Sequence, residues 1–119
     1  MEDYIEVNGV RYVSETSKNY TQKNGLDYVI VRSSDSGCHA GWLEDVDKST
    51  VTLVDARRLW YWSGAASLSE LAMKGVAKPD ECKFPIEVER IVVLGCCEII
   101  DVTNTARESI AAVPVWSAS

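Results

Sequence analysis

The residues best equipped for chemistry lie in one run, Asp55-Ala56-Arg57-Arg58-Leu59-Trp60-Tyr61-Trp62-Ser63-Gly64. Read as a strand, the run alternates its side chains between two faces. Arg58, Trp60 and Trp62 then share one face, and Arg57, Leu59 and Tyr61 share the other. Each face sets a guanidinium beside aromatic rings. That pairing suits a nucleotide, because guanidinium forks match phosphate oxygens and rings stack on a base. The same residues also suit a plain core strand, its tryptophans filling the interior and its arginines paired with Asp55 or Glu44. Residue type alone favours that plainer role.

Further candidates are scattered. Phe84, the only phenylalanine, sits between Lys83 and Pro85 in a polar loop. It is either a stacking platform for a ligand or an anchor plugging the edge of the core. Arg107 falls early in the last helical segment, where the free N–H groups of a first turn favour an anion. Thr103, Asn104 and Thr105 add polar groups there; the alternative is a solvated arginine paired to a nearby acid. Ser33-Ser34-Asp35-Ser36-Gly37 could form a small nest of backbone N–H groups. It lacks the GxxxxGK[ST] pattern of a phosphate loop.

Several chemistries are disfavoured. Cys38 and His39 are adjacent, and neighbours on a strand face apart, so they cannot act as nucleophile and base. His39 is the only histidine. The cysteines Cys38, Cys82, Cys96 and Cys97 contain no CxxC pair, so no zinc site, no cofactor and no catalytic residue is expected. Cys96 and Cys97 lie inside an apolar strand pattern, which points to reduced, mostly buried thiols rather than disulfides. The net charge of −6 repels a long polyanion and so disfavours DNA or RNA as a partner. A small anion is still admissible, since a distant net charge is screened over about 8 Å. No run approaches the roughly eighteen apolar residues that a membrane span needs. The acidic start MEDYIEVNGVRY lacks the apolar core of a signal peptide, so the cytoplasm is the expected address.

The elements that must position these residues can be read from periodicity and turns. Residues 4–13 read as a β-hairpin around Asn8-Gly9, and 14–25 as a polar linker, so 1–25 forms an extension. The main domain is expected over 26–119, with strands centred on 27–32, 39–44 and 50–55, and a turn over 45–49. Ser67 and Glu70 form a capping box for a helix running to Lys74, with Leu68, Leu71 and Ala72 inward and Gly75 as its stop. Lys78 to Pro85 is a loop fixed by two prolines, and 87–103 holds one or two strands bent at Gly95. A last helix begins at Thr103 or Thr105, where Thr105 and Glu108 fit a second capping box. Ala106, Ile110 and Val113 face inward, and Pro114 ends it. The order β-β-β-β-α-β-β-α predicts an α+β fold, mainly an antiparallel sheet with two short helices packed on it.

Beyond single residues, the stretches YVIVRS, SGCHAGWL, DARRLWYWSGAASLSELAMKGVAKPDECKFP and EIIDVTNTARESIAAVPVW together resemble a phage protein family, over roughly residues 28–116. The chain is similar to the first-described Thoeris anti-defence proteins. The resemblance implies a sponge that binds glycocyclic ADP-ribose, a cyclic ADP-ribose isomer made by bacterial TIR-domain proteins, without cleaving it. It further implies cyclic di- or trinucleotides as a second ligand class at separate sites, dimers built into hexamers, and action in the cytoplasm of an infected host. It lifts Arg57, Phe84 and Arg107 as the phosphate- and base-holding residues. Arg58, Lys83 and the turn Ser36, Gly37, Cys38, His39 and Ala40 follow as lesser candidates. The rival reading is a phage structural or protein-interaction module whose tryptophans form a partner surface.

Overall fold

In the computed structural model the described residues are 4–7, 10–13 and 22–118, with side chains from Gln22 onward. Two strands, β1 (Tyr4–Val7) and β2 (Val10–Val13), pair antiparallel as expected. The Asn8-Gly9 turn and residues 14–21 of the expected linker lie outside the described residues.

The main sheet starts earlier than the sequence suggested. β3 (Gln22–Lys23) turns through Asn24-Gly25 into β4 (Leu26–Ser33). Both turn residues have positive φ, 53° and 78°, the backbone that an Asn-Gly hairpin turn requires. β5 (Gly37–Asp47) and β6 (Thr50–Arg58) follow, so the expected turn over 45–49 is confined to Lys48-Ser49. Then come α1 (Leu68–Lys74), a 3-10 turn (Pro79–Glu81), β7 (Val88–Val93), β8 (Cys96–Asp101) and α2 (Asn104–Ala112). The fold is α+β: an antiparallel sheet of six strands with two helices, and six rather than four strands precede α1.

The strand order is β8-β4-β5-β6-β7, with β3 on the same edge of β4 as β8. β7 and β8 therefore stand at opposite ends, yet only Leu94 and Gly95 join them. A flat sheet would separate its first and fifth strands by about 19 Å. Three Cα steps reach at most about 11 Å. The sheet must curl. Two bonds hold the curl: Cys96 N–H donates to the Ser49 carbonyl at 2.8 Å, and Ser33 Oγ donates to the Leu94 carbonyl at 2.7 Å.

Curling gives the sheet two cores. The concave face buries Val29, Val31, Val51, Leu53, Ala56 and Val93. The other face carries Tyr28, Ile30, Ala40 and Trp42 against Leu71, Ala72, Ala106 and Ile110 of the helices, with Leu59 and Phe84. α1 is capped as its sequence predicts: Ser67 Oγ accepts from Glu70 N–H, the Glu70 carboxylate accepts from Ala66 N–H, and Gly75 closes the end at φ 81°. In α2 the cap is Thr103, whose Oγ1 accepts from Ala106 N–H and donates to the Met73 carbonyl. Thr105 and Glu108 do not form the expected box. The inward stripe Ala106, Ile110 and Val113 is buried as expected.

Candidate functional site

A local irregularity in β6 aims the principal arginine. Ala40 pairs with Arg57 and Trp42 with Val54, so the single residue Gly41 opposes both Asp55 and Ala56. This is a β-bulge, and Asp55 takes the left-handed conformation at φ 48°. The extra residue reverses the alternation after Val54: Ala56 turns into the concave core, and Arg57 onto the helix-covered face. Gly41 permits it, because a Cβ there would lie 2.9 Å from Cα and Cβ of Ala56.

On that face a cleft of about 330 Å³ opens between α2, the 86–87 segment and the sheet. Arg57 and Arg107 both line it, beside the rings of Tyr28 and Trp42 and the carboxylate-bearing Glu87. Ile86, Val113 and Val115 form an apolar rim. Tyr28 and Trp42 are cross-strand partners, with ring centroids 5.0 Å apart in an edge-to-face arrangement.

The two arginines are held differently. Arg57 is buried and donates from Nε to the Pro85 carbonyl at 3.0 Å. Its terminal nitrogens donate to the Ile110 carbonyl at 2.8 Å and the Phe84 carbonyl at 3.0 Å. Ile110 is in the last turn of α2, where its carbonyl also accepts from Val113 N–H and a cation is favoured. Neither Asp55 nor Glu44 pairs with Arg57 or Arg58: Asp55 pairs with Lys23 and Glu44 with Arg90. Arg107 donates to Asn104 Oδ1 at 2.8 Å, and its guanidinium carbon lies 6.0 Å from the Trp42 ring. Its Nε is buried without a hydrogen-bond partner. A buried donor without a partner is a cost that an acceptor reaching it would relieve.

Burial pushes the Tyr28 hydroxyl well above its ordinary range, with Glu87 adding to the rise and Arg107 and Arg57 opposing it. Burial lowers Arg57 from its ordinary value, against the pull of Tyr28 and Glu87.

Phe84 is not part of the cleft surface. Its side chain is fully buried, its ring centroid 5.6 Å from the Arg57 guanidinium carbon, and its carbonyl accepts from Arg57 and from Trp116 N–H. It acts as the core anchor rather than an open platform. Lys83 is exposed, and its ammonium lies 5.8 Å from the Tyr61 ring and 5.5 Å from that of Trp116. Thr103 is buried between the helices, while Asn104 stands beside Arg107.

Arg58 and the 36–38 turn gather elsewhere. A second cavity of about 370 Å³ is lined by Asp35, Ser36, Gly37, Cys38, Arg58, Leu59, Trp60 and Trp62. Arg58 donates to the Ser36 carbonyl at 2.7 Å, and Ser36 Oγ is buried without a partner. The strand ends at Arg58, not Trp62, and Leu59 lines this cavity together with Arg58, Trp60 and Trp62, so the expected alternation does not separate them. Arg57 and Leu59 are both buried, whereas Tyr61 is exposed. Ala40 is fully buried in the helix-side core. His39 is buried on the opposite face with Nε2 3.0 Å from the Ser36 carbonyl, and burial, reinforced by Arg58, lowers its pKa. Burial raises the Cys38 thiol.

Sequence reasoning missed Tyr28, Trp42 and Glu87 as cleft residues. Their signal was the pairing of two aromatics on adjacent strands, which becomes readable only once the register is known. Among the described residues no group of His, Cys, Asp or Glu could hold a metal ion, and no helix is long and apolar enough to cross a membrane.

No curated protein and no solved structure matches the chain. A family model described as a domain of unknown function (DUF6948) matches residues 26–110, the span that holds both arginines of the cleft. The chain therefore belongs to the DUF6948 family.

Proposed function

We propose that the protein captures a small nucleotide carrying a diphosphate, a glycocyclic ADP-ribose, in the cleft between α2 and the sheet, and holds it without breaking a bond. The observation that carries this reading is the convergence of Arg57 and Arg107 beside the Tyr28 and Trp42 rings. Arg107 offers a donor with no partner; Arg57 adds positive charge from a fixed position. The rings and the apolar rim offer the flat, dry contact that a purine needs.

A volume of about 330 Å³ is at the low end for ligand pockets, so a second copy of the chain would cover the open side. Sequestration rewards such enclosure, because slow release comes from a preorganised, buried pocket. In this reading the protein is a phage anti-defence sponge, acting in the cytoplasm of an infected bacterium. Cyclic di- or trinucleotides would be candidates for the second cavity. No residue has a catalytic role.

The test is capture and release. The protein is incubated with glycocyclic ADP-ribose, freed of excess, heated, and the supernatant analysed by mass spectrometry. Intact ligand is the expected result, and altered ligand would mean an enzyme. Retention of nothing would favour an interaction module instead, a reading supported by the exposure of Trp60, Tyr61 and Trp116 at 63%, 52% and 45%. Arg107→Glu should weaken binding on the order of 100-fold without lowering Tm, since it removes the unpartnered donor and reverses the charge. Equal affinity of the variant in calorimetry would remove the cleft from consideration.

A further inference from the structure

Glu87 is the feature of the cleft that phosphate binding alone does not explain. It lines the same cavity as Arg57, Arg107 and the Tyr28 ring. Its carboxylate accepts no hydrogen bond and forms no ion pair among the described residues, although it acts electrostatically on both Tyr28 and Arg57. Its backbone is fixed on both sides: the Pro85 carbonyl accepts from Arg57 Nε, and Val88 pairs with Ala56. A carboxylate at the mouth of a cationic cleft opposes any ligand that offers only negative charge.

We infer that Glu87 is a specificity-determining residue, selecting ligands that present hydroxyl or amino donors beside their anion and rejecting bare phosphates. A carboxylate accepts charge-assisted hydrogen bonds from two O–H groups at once, so a ribose hydroxyl pair turns the repulsion into attraction. Inorganic pyrophosphate lacks the vicinal hydroxyl pair, so at Glu87 it meets repulsion without that compensation. Discrimination of this kind needs an element hostile to the wrong ligand as well as contacts to the right one. The inference rests on the cleft being a nucleotide site, and deepens that reading.

Calorimetry at one ionic strength, with glycocyclic ADP-ribose and inorganic pyrophosphate as probes, tests it. In Glu87→Gln the nucleotide should bind roughly 10-fold more weakly and pyrophosphate more tightly, narrowing the ratio of the two affinities. Glu89→Gln makes the same change in net charge from an exposed position outside the cleft, and should leave both affinities unchanged. The Glu87 side chain is exposed at the cleft mouth, so Glu87→Gln should keep the wild-type Tm; Glu87→Ala repeats the comparison with a different replacement. If both probes shift in the same direction, if neither shifts, or if Glu89→Gln matches the effect, Glu87 is not the discriminator and the cleft reading survives. If the wild-type protein binds neither probe, the cleft reading falls and the inference falls with it.

Discussion

At the scale of single residues, Arg57 is a structural latch as well as a proposed ligand group. Its fork ties β6 to the loop at Phe84 and Pro85 and to the end of α2 at Ile110. Arg57→Lys keeps the charge and loses the fork; the Pro85 carbonyl loses its donor, while those of Phe84 and Ile110 keep backbone N–H donors from Trp116 and Val113, a total cost of about 1–3 kcal/mol. For a domain of this size the expected drop in Tm is on the order of 10 °C, read by thermal unfolding. An unchanged Tm would show that the carbonyls find other partners and that the latch is not structural. Arg107 lacks this second duty, which makes Arg107→Glu the cleaner probe of binding. Residue types in the sequence pointed to both arginines, but could not reveal that one of them is committed to backbone. Phe84 illustrates the same limit: ligand platform and core anchor look identical in sequence, and only burial separates them.

Among elements, local signals were readable wherever the chain satisfies itself locally. Ser67, Glu70 and Gly75 bound α1 as their types require. The Asn24-Gly25 hairpin carries the same turn signal as Asn8-Gly9, but a polar neighbourhood concealed it within the expected linker. Of the two starts the sequence allows for α2, the chain uses Thr103, which also gains a bond to Met73 in α1, a contact between helices that no local pattern encodes. The bulge in β6 was equally hidden, and the aim of Arg57 depends on it. Gly41 is its counterpart on β5. A methyl group there would press on the Ala56 backbone at 2.9 Å and on Leu53 Cβ at 3.2 Å. Gly41→Ala should therefore cost about 1–3 kcal/mol in urea denaturation, through overpacking that pushes the bulge out of the concave core. It should also weaken nucleotide binding, since Arg57 would lose its approach to the cleft. A variant with the wild-type midpoint would mean that the bulge tolerates displacement.

Viewed as a whole, the described residues leave apolar surface exposed around the cleft. The sheet curls because Leu94 and Gly95 must connect its two ends, a constraint set by strand order and invisible in any window of sequence. With both faces of the curl filled from within, Ile86 and Val115 remain 69% and 56% exposed at the cleft rim. Trp60, Tyr61 and Trp116 stand exposed as well. Exposed apolar groups at a cleft mouth, here Ile86 and Val115, are the usual mark of an interface. A second copy seated on the rim would bury them and close the pocket together. Light scattering at micromolar concentration should then report a mass above that of one 13.2 kDa chain. Ile86→Asp combined with Val115→Asp should lower that mass and speed ligand release in parallel, because both depend on the same contact. A wild-type monomer that nevertheless releases its nucleotide slowly would separate the two, and would require the cleft to be complete within a single chain.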